Sequence, residues 1–192
     1  MTIKKHKIVL TFNAPVTLGF IFTCLVVLVI NQITFGQSNK LLFMTYHSSL
    51  TNPLTYVRFF THVLGHQGWS HFFGNATYLL LLGPMLEEKY GSNRLIKVIA
   101  ITAVITALVN YIFFPGVGLC GASGVVFAFI LLTSFTGFRN GEIPITFILV
   151  VVVFLGQQVY EGVFLNDNVS NMAHIVGGVV GAVGGFIMNK KG

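Results

Sequence analysis

Charged side chains are scarce in this chain. Of its 192 residues, 8% are Asp, Glu, Lys or Arg and 5 are acidic, whereas 54% are hydrophobic. Soluble domains average about 25% charged residues, so this composition excludes a water-soluble protein and indicates an integral membrane protein. The basic residues lie singly or in short clusters between apolar segments. Membrane topology explains that pattern, and no nucleic-acid partner is indicated.

Two features of many secreted proteins are missing as well. Cys24 lies within an apolar segment and Cys120 beside a glycine-rich turn, so they do not indicate a disulfide framework and leave the redox compartment open. The first apolar run, residues 16–30, follows three lysines, but no small-x-small cleavage site comes after it. We therefore interpret this run as a first membrane helix and not as a secretory signal.

Apolar segments predict an all-α, polytopic fold with six transmembrane helices, because their lengths and hydropathy are typical of membrane spans. The segments are residues 15–34, 70–86, 94–114, 123–138, 144–160 and 171–189. We expect a single membrane domain over residues 1–192, with a cytoplasmic N-terminal segment, 1–14, and a long outer connection, 36–69. With both termini in the cytoplasm, only Lys40 and Arg58 among the 11 basic residues lie outside, in agreement with the positive-inside rule.

The fourth segment is too short to cross a bilayer. From Ser123 to Gly137 it has 15 residues, which form about 22 Å of helix, against a hydrocarbon core of about 30 Å. With its far end at the cytoplasmic surface, Ser123 lies below the outer surface, and residues 115–122 descend to meet it. Irregular backbone at that depth requires surrounding protein or a water-filled cavity. We therefore predict a short, recessed fourth helix that begins in a wet pocket.

Ser123 stands where a glycine-rich turn meets this helix. Gly121 and Gly124 flank it and permit a tight turn and close backbone approach. Free backbone N–H groups and the positive end of the helix dipole favour a developing negative charge at this position. An N-cap serine beside a small-residue packing seam has the same local pattern, so Ser123 alone does not define a site.

Three more polar side chains are expected at the depth of Ser123. His71 and Asn75 lie four residues apart on one face of the second helix, and His174 lies a little below the outer end of the sixth. Ionisable groups inside a bilayer are costly, so a buried histidine is a functional candidate. A structural interhelical hydrogen bond is the alternative.

Small residues predict that the fourth and sixth helices pack closely, which brings Ser123 and His174 together. They recur every four positions on the sixth helix and have counterparts on the fourth: Ala173, Gly177, Gly181 and Gly185 against Gly124 and Ala128. Phe127, one turn below Ser123, is placed to hold the imidazole of His174 by stacking.

A hydroxyl beside an imidazole indicates a nucleophile and its general base. We predict that His174 removes the proton of Ser123 and returns it to the leaving amine. The nearest acids, Glu161 and Asp167, belong to the outer edges of the fifth and sixth helices. The prediction is therefore a Ser–His dyad without a third carboxylate.

A tetrahedral intermediate formed on Ser123 carries a negative oxygen that needs preorganised hydrogen-bond donors. The backbone N–H of Ser123, the amide of Asn75 and the imidazole of His71 are predicted to supply them.

Metal binding is the rival chemistry, because His62, His66 and His71 lie within ten residues. No H-E-x-x-H motif and no carboxylate occurs among them, and the first two fall in the outer connection. We expect no metal, and we expect His62 and His66 to bond backbone carbonyls and hold the loop in place.

Four short motifs resemble those of the rhomboid family of intramembrane serine proteases. They are the G-x-S-G motif at residues 121–124, the H-x-x-x-N motif at 71–75, the A-H-x-x-G motif at 173–177 and the E-x-x-x-G-S turn that begins at Glu87. The chain departs from the family at Val57, where a tryptophan usually precedes the arginine, and at Phe127, where a tyrosine is usual.

This resemblance implies a fold of six helices around a water-filled cavity that opens to the outside. Ser123 and His174 would be catalytic, and Asn171 would match a polar residue near the histidine. Substrates would be single-span membrane proteins that enter laterally from the lipid bilayer and are cut near the outer end of their helix. No cofactor is implied, and a bacterial inner (plasma) membrane is the expected location.

Two other classes of protein remain open at this stage. One is a catalytically silent relative that binds transmembrane segments, although such a protein need not retain Ser123, His174, His71 and Asn75 together. The other is a small transporter, whose midplane polar residues give a similar composition but no acyl-enzyme chemistry.

Overall fold

The described part of the chain is almost entirely helical. The computed structural model describes residues 11–137, 143–157, 160 and 168–189, and no β-strand occurs among them. Its α-helices, numbered here in chain order, are α1 Pro15–Ile33, α2 Pro53–Thr61, α3 Trp69–Tyr90, α4 Ser92–Phe113, α5 Ser123–Ser134, α6 Ile145–Val150 and α7 Asn168–Asn189. The predicted all-α class is confirmed.

Shorter helical turns extend these elements. A 3₁₀ turn, Phe135–Gly137, follows α5, and a π-helical turn, Val151–Leu155, continues α6. Asn39–Phe43 and His62–Leu64 form further turns between α1 and α3. By length and composition, α1, α4 and the Asn171–Asn189 part of α7 are suited to cross a membrane.

The connection between the first two predicted spans contains a helix that the sequence analysis missed. α2 begins after Asn52, whose side chain accepts the N–H of Leu54 at 3.0 Å, and Pro53 occupies its first turn. An asparagine cap followed by proline is a helix-start signal. The sequence analysis gave residues 36–69 as a long outer connection and assigned no helix within it.

α5 lies at the centre of the bundle, against α3, α4 and α7. Its apolar residues show no helical stripe, and Val125, Ala128, Leu131 and Leu132 are completely buried. A helix that is apolar on all sides is expected to be enclosed by other helices. The position of its first residue, Ser123, is therefore set by the helices that pack around α5.

Glycines let α7 approach α5 until the two backbones touch, as the small-residue pattern predicts. A Cβ atom at Gly177 would lie 2.7 Å from the carbonyl carbon of Gly124, and one at Gly181 would lie 2.7 Å from that of Ala128. A methyl group at either position would overlap the facing backbone, so these two positions require glycine.

Glu87 ties the end of α3 to the start of α1 and of α4. Its carboxylate accepts the backbone N–H groups of Val16 at 2.9 Å and Thr17 at 3.0 Å, and the hydroxyls of Thr17 at 2.9 Å and Ser92 at 2.8 Å. The carboxylate thus satisfies free donors in the first turn of α1, where the helix dipole also favours negative charge.

Replacing this carboxylate is expected to destabilise the fold. In Glu87→Gln one acceptor oxygen becomes an NH₂ donor that faces other donors, so we expect the free energy of unfolding to fall by about 2 kcal/mol or more. Thermal unfolding in detergent measures the change. Glu88→Gln is the matched control because Glu88 is exposed on the same turn, and equal midpoints for the two variants would contradict the role of Glu87.

Candidate active site

The turn before α5 is built around Gly121. Its φ is +134°, a region that favours glycine, and its N–H donates to the carbonyl of His62 at 2.9 Å. A Cβ atom here would lie 2.6 Å from Cε1 and 2.7 Å from Nε2 of His71. The imidazole of His71 therefore lies directly against this turn, two residues before Ser123.

Ser123 is the first residue of α5. The helix cap is Ala122, and α5 has no side-chain cap hydrogen bond among the described residues. Ser123 is therefore not an N-cap serine, which was the structural alternative for this residue. Its own N–H is one of the free donors of the first helical turn.

One face of α5 opens at Ser123. From residue 121 to 132 every residue is buried except Ser123 and Phe127, which are half-buried. They are four residues apart and thus lie on the same side of the helix. The otherwise buried helix is therefore partly accessible on the side that carries this pair.

His174 lies at this open face. Its ring stacks on that of Phe127, with centroids 4.3 Å apart and planes inclined by 10°, the stacking anticipated from the sequence. The carbonyl oxygen of Ala173 lies 3.4 Å from the Cβ position of Gly124, which holds this turn of α7 against the first turn of α5. The structure thus brings His174 to the N-terminal part of the serine helix.

Asn171 precedes His174 by one turn of α7 and is buried. Residues three apart share a helix face, so Asn171 lies on the side of α7 that carries the imidazole. The two acids considered in the sequence analysis, Glu161 and Asp167, lie outside the described residues.

Asn75 is buried on α3, one turn after His71. Its amide nitrogen donates to Nε2 of His66 at 3.1 Å. An amide carries two N–H groups. This bond uses one, and the second has no other partner among the residues that the structure describes. The structure places His71 against the serine turn, and Asn75 lies on the same face of α3 one turn later.

His66 was expected to bond a backbone carbonyl, and in the structure it also accepts a hydrogen bond from Asn75. Its Nδ1–H donates to the carbonyl of Leu64 at 3.2 Å, and its Nε2 accepts from Asn75. Burial, and to a lesser extent the neighbouring His71, lower the pKa of His66 to about 4, so the ring is neutral near pH 7. The neutral ring carries its proton on Nδ1, because Nε2 accepts the hydrogen bond from Asn75. Sequence spacing held no signal for this contact, because it depends on how the loop before α3 folds back.

His62 pins the serine turn to α4, in agreement with the role expected for it. Its Nε2–H donates to the carbonyl of Ala103 at 3.0 Å, while its own carbonyl receives the N–H of Gly121. Complete burial lowers the pKa of His62 to about 4, so the ring is neutral near pH 7. A reciprocal pair of backbone bonds between Thr45 and Leu119, at 2.9 and 2.8 Å, further fixes the loop.

These features describe an apolar helix bundle in which Ser123 begins the central helix and the ring of His174 stacks on Phe127 of the same helix. A family model described as the Rhomboid domain matches residues 53–191, more than two thirds of the chain. The chain belongs to the rhomboid family, a family of intramembrane serine proteases, and it is an integral, multi-pass membrane protein. The resemblance found in the sequence is thereby confirmed, while the roles of individual residues stay predictions.

Proposed function

We propose that this protein is an intramembrane serine endopeptidase that uses Ser123 and His174 as a catalytic dyad. The observation that supports this most strongly is the open face of α5. Ser123 and Phe127 are its two half-buried residues, and Phe127 carries the stacked ring of His174. A merely structural serine and histidine would not need the central helix to open at this position.

In the proposed reaction, Oγ of Ser123 attacks the carbonyl carbon of the scissile peptide bond while His174 accepts the hydroxyl proton. The C–N bond then breaks, and His174 donates that proton to the leaving amine. Water attacks the resulting acyl-enzyme, with His174 again as the base, and restores the hydroxyl. Stacking on Phe127 keeps the imidazole in one orientation, which lowers the entropic cost of each proton transfer.

The negative oxygen of the intermediate is proposed to bind the backbone N–H of Ser123, the free N–H of the Asn75 amide and the imidazole of His71. The first of these belongs to the N terminus of α5, where the helix dipole adds to the attraction. The contact between His66 and Asn75 supports this assignment, because it orients the amide before substrate binds. His71 is likewise held, since its ring lies against Gly121.

The proposed placement in the membrane follows from helix lengths. α5 and its terminal 3₁₀ turn have 12 and 3 residues, about 24 Å together, which supports a recessed helix within a six-span bundle formed by the whole chain. The distribution of lysine and arginine supports cytoplasmic termini and a site that opens to the outside. A bacterial inner membrane is the location we propose. Single-span substrates would then be cut near the outer end of their helix.

The test is a cleavage assay with the full chain reconstituted in lipid vesicles. A panel of single-span proteins with glycine or alanine near the outer end of the helix, tagged at both ends, is incubated with the enzyme, and mass spectrometry locates the new termini. We expect cuts within the outer third of the helix. Cuts only in aqueous segments, or equal cleavage by Ser123→Ala, would contradict the proposal.

Removing the proposed oxyanion donors is expected to slow turnover without unfolding the protein. We expect kcat to fall by about 10²–10³-fold in Asn75→Ala and in His71→Ala, because each removes one preorganised donor from the developing charge. Thr77→Ala, a change at an exposed position of the same helix, is the control. Unchanged turnover in both variants, with normal thermal unfolding, would refute the oxyanion role.

A further inference from the structure

An apolar groove lies between α4 and α7, and Ser123 is not among the described residues that line it. Its volume is about 400 Å³, and every described residue that lines it is apolar. Its walls include Ile101 and Ile105 on one helix and Val179 and Val183 on the other. These side chains are between 38% and 52% exposed. The groove therefore opens on the side of the bundle that faces lipid.

Gly184 gives the groove its depth. Unlike Gly177 and Gly181, it does not press against α5. A Cβ atom at 184 would have ordinary contacts only, 3.8 Å to Met188 and 4.0 Å to Val98. Close packing of α7 therefore does not require this glycine, and a larger side chain here would fill the groove without displacing a helix.

The groove continues to a basic end. Where it reaches the start of α4 it is lined by Arg94 and Lys97, together with Gly184 and Met188. Both basic side chains are exposed, and no carboxylate is among the described residues that line this end. The two charges lie in the first turns of a helix that is suited to span the membrane, which places them at the level of lipid headgroups.

We propose that this groove binds an anionic phospholipid, with one acyl chain between α4 and α7 and the phosphate at Arg94 and Lys97. The charges decide the class of ligand. A guanidinium pairs with phosphate oxygens in bidentate fashion, and basic residues at the membrane surface favour anionic lipids. A neutral lipid, a transmembrane helix or a second copy of this chain would occupy the groove without using the basic end. The site is independent of the proposed protease chemistry.

A tryptophan reporter tests the site, because the chain has a single natural tryptophan. In a Trp69→Phe background, Val183→Trp places the reporter in the groove, and Val26→Trp places a control reporter on the exposed side of α1. The full chain is reconstituted in phosphatidylcholine vesicles with increasing amounts of phosphatidylglycerol, and either lipid carries brominated chains that quench tryptophan. The measurement is the binding constant of phosphatidylglycerol relative to phosphatidylcholine at each reporter.

At residue 183 we expect a preference for phosphatidylglycerol of about fivefold for each basic side chain that contacts the phosphate, which falls at high salt. The control reporter should show a ratio near one. Arg94→Gln with Lys97→Gln should bring the ratio at 183 to that of the control, Gly184→Leu should lower it with the charges intact, and Lys40→Gln should change nothing. Equal ratios at both reporters, a ratio unaffected by the double substitution, or protection of residue 183 from both lipids by a second copy would each overturn the proposal.

Discussion

Cleavage by Ser123→Ala is expected to fall by about 10⁴-fold or more in kcat, and His174→Ala should lose a similar amount. The serine oxygen forms the bond to the scissile carbonyl, and the histidine moves every proton in the cycle, so neither acts without the other. The double variant should therefore be no slower than the slower single variant. Cleavage of a reconstituted single-span substrate, followed in single-turnover experiments, measures these rates.

Ser134→Ala provides the matched control for the loss of a hydroxyl on α5. Its Oγ–H donates to the carbonyl of Ile130 at 3.0 Å at the far end of the helix, so its loss should leave turnover almost unchanged. A Ser123→Ala enzyme within tenfold of the wild type would contradict the assignment of the nucleophile. Effects of Ser123→Ala and His174→Ala that multiply in the double variant would show that the two residues act separately.

Gly181→Ala is expected to have the largest effect on stability. One added methyl group would lie 2.7 Å from the carbonyl carbon of Ala128 and 2.7 Å from its Cα, so α5 and α7 must separate along their contact. Overpacking of this kind costs about 1–3 kcal/mol and more where backbone cannot move, and we expect a cost at or above the top of that range. Separation would also pull His174 away from Ser123, so activity should fall together with the unfolding midpoint.

The matched control is Gly184→Ala, three residues later on the same helix. It makes the same chemical change where the new atom meets only ordinary contacts, and alanine favours the helix over glycine by about 1 kcal/mol. The control should therefore equal or exceed the wild type in thermal unfolding. Equal losses in the two variants would mean that the glycine seam does not set the distance between α5 and α7.

Helix positions were largely predictable because lipid-facing and enclosed helices are both apolar along their whole length. The ends of the helices and the short amphipathic helix α2 were not predictable from this pattern. α3 runs to Tyr90, past the predicted end at residue 86, because Glu87 is buried by its bonds to α1, a contact between distant parts of the chain. α2 was not predicted because its nine residues are few and combine polar with apolar side chains, as the rest of the connection does.

The site was predictable to the extent that it depends on helical periodicity. Four-residue spacing indicated both the glycine seam and the position of Phe127 below Ser123, and the structure shows the seam and the stacked ring of His174. The contact between His66 and Asn75 follows no period, since one residue lies in a loop and the other on a helix. Only the folded path of that loop brings the imidazole of His66 to the amide of Asn75.

Labelling with a serine-directed fluorophosphonate tests the central claim most directly. The full chain in detergent should form one covalent adduct, located at Ser123 by mass spectrometry, and the adduct should be absent from Ser123→Ala and strongly reduced in His174→Ala. A label that persists in Ser123→Ala would remove the proposed nucleophile. A wild-type protein that takes no label while folded would indicate a silent relative or a transporter instead of a protease.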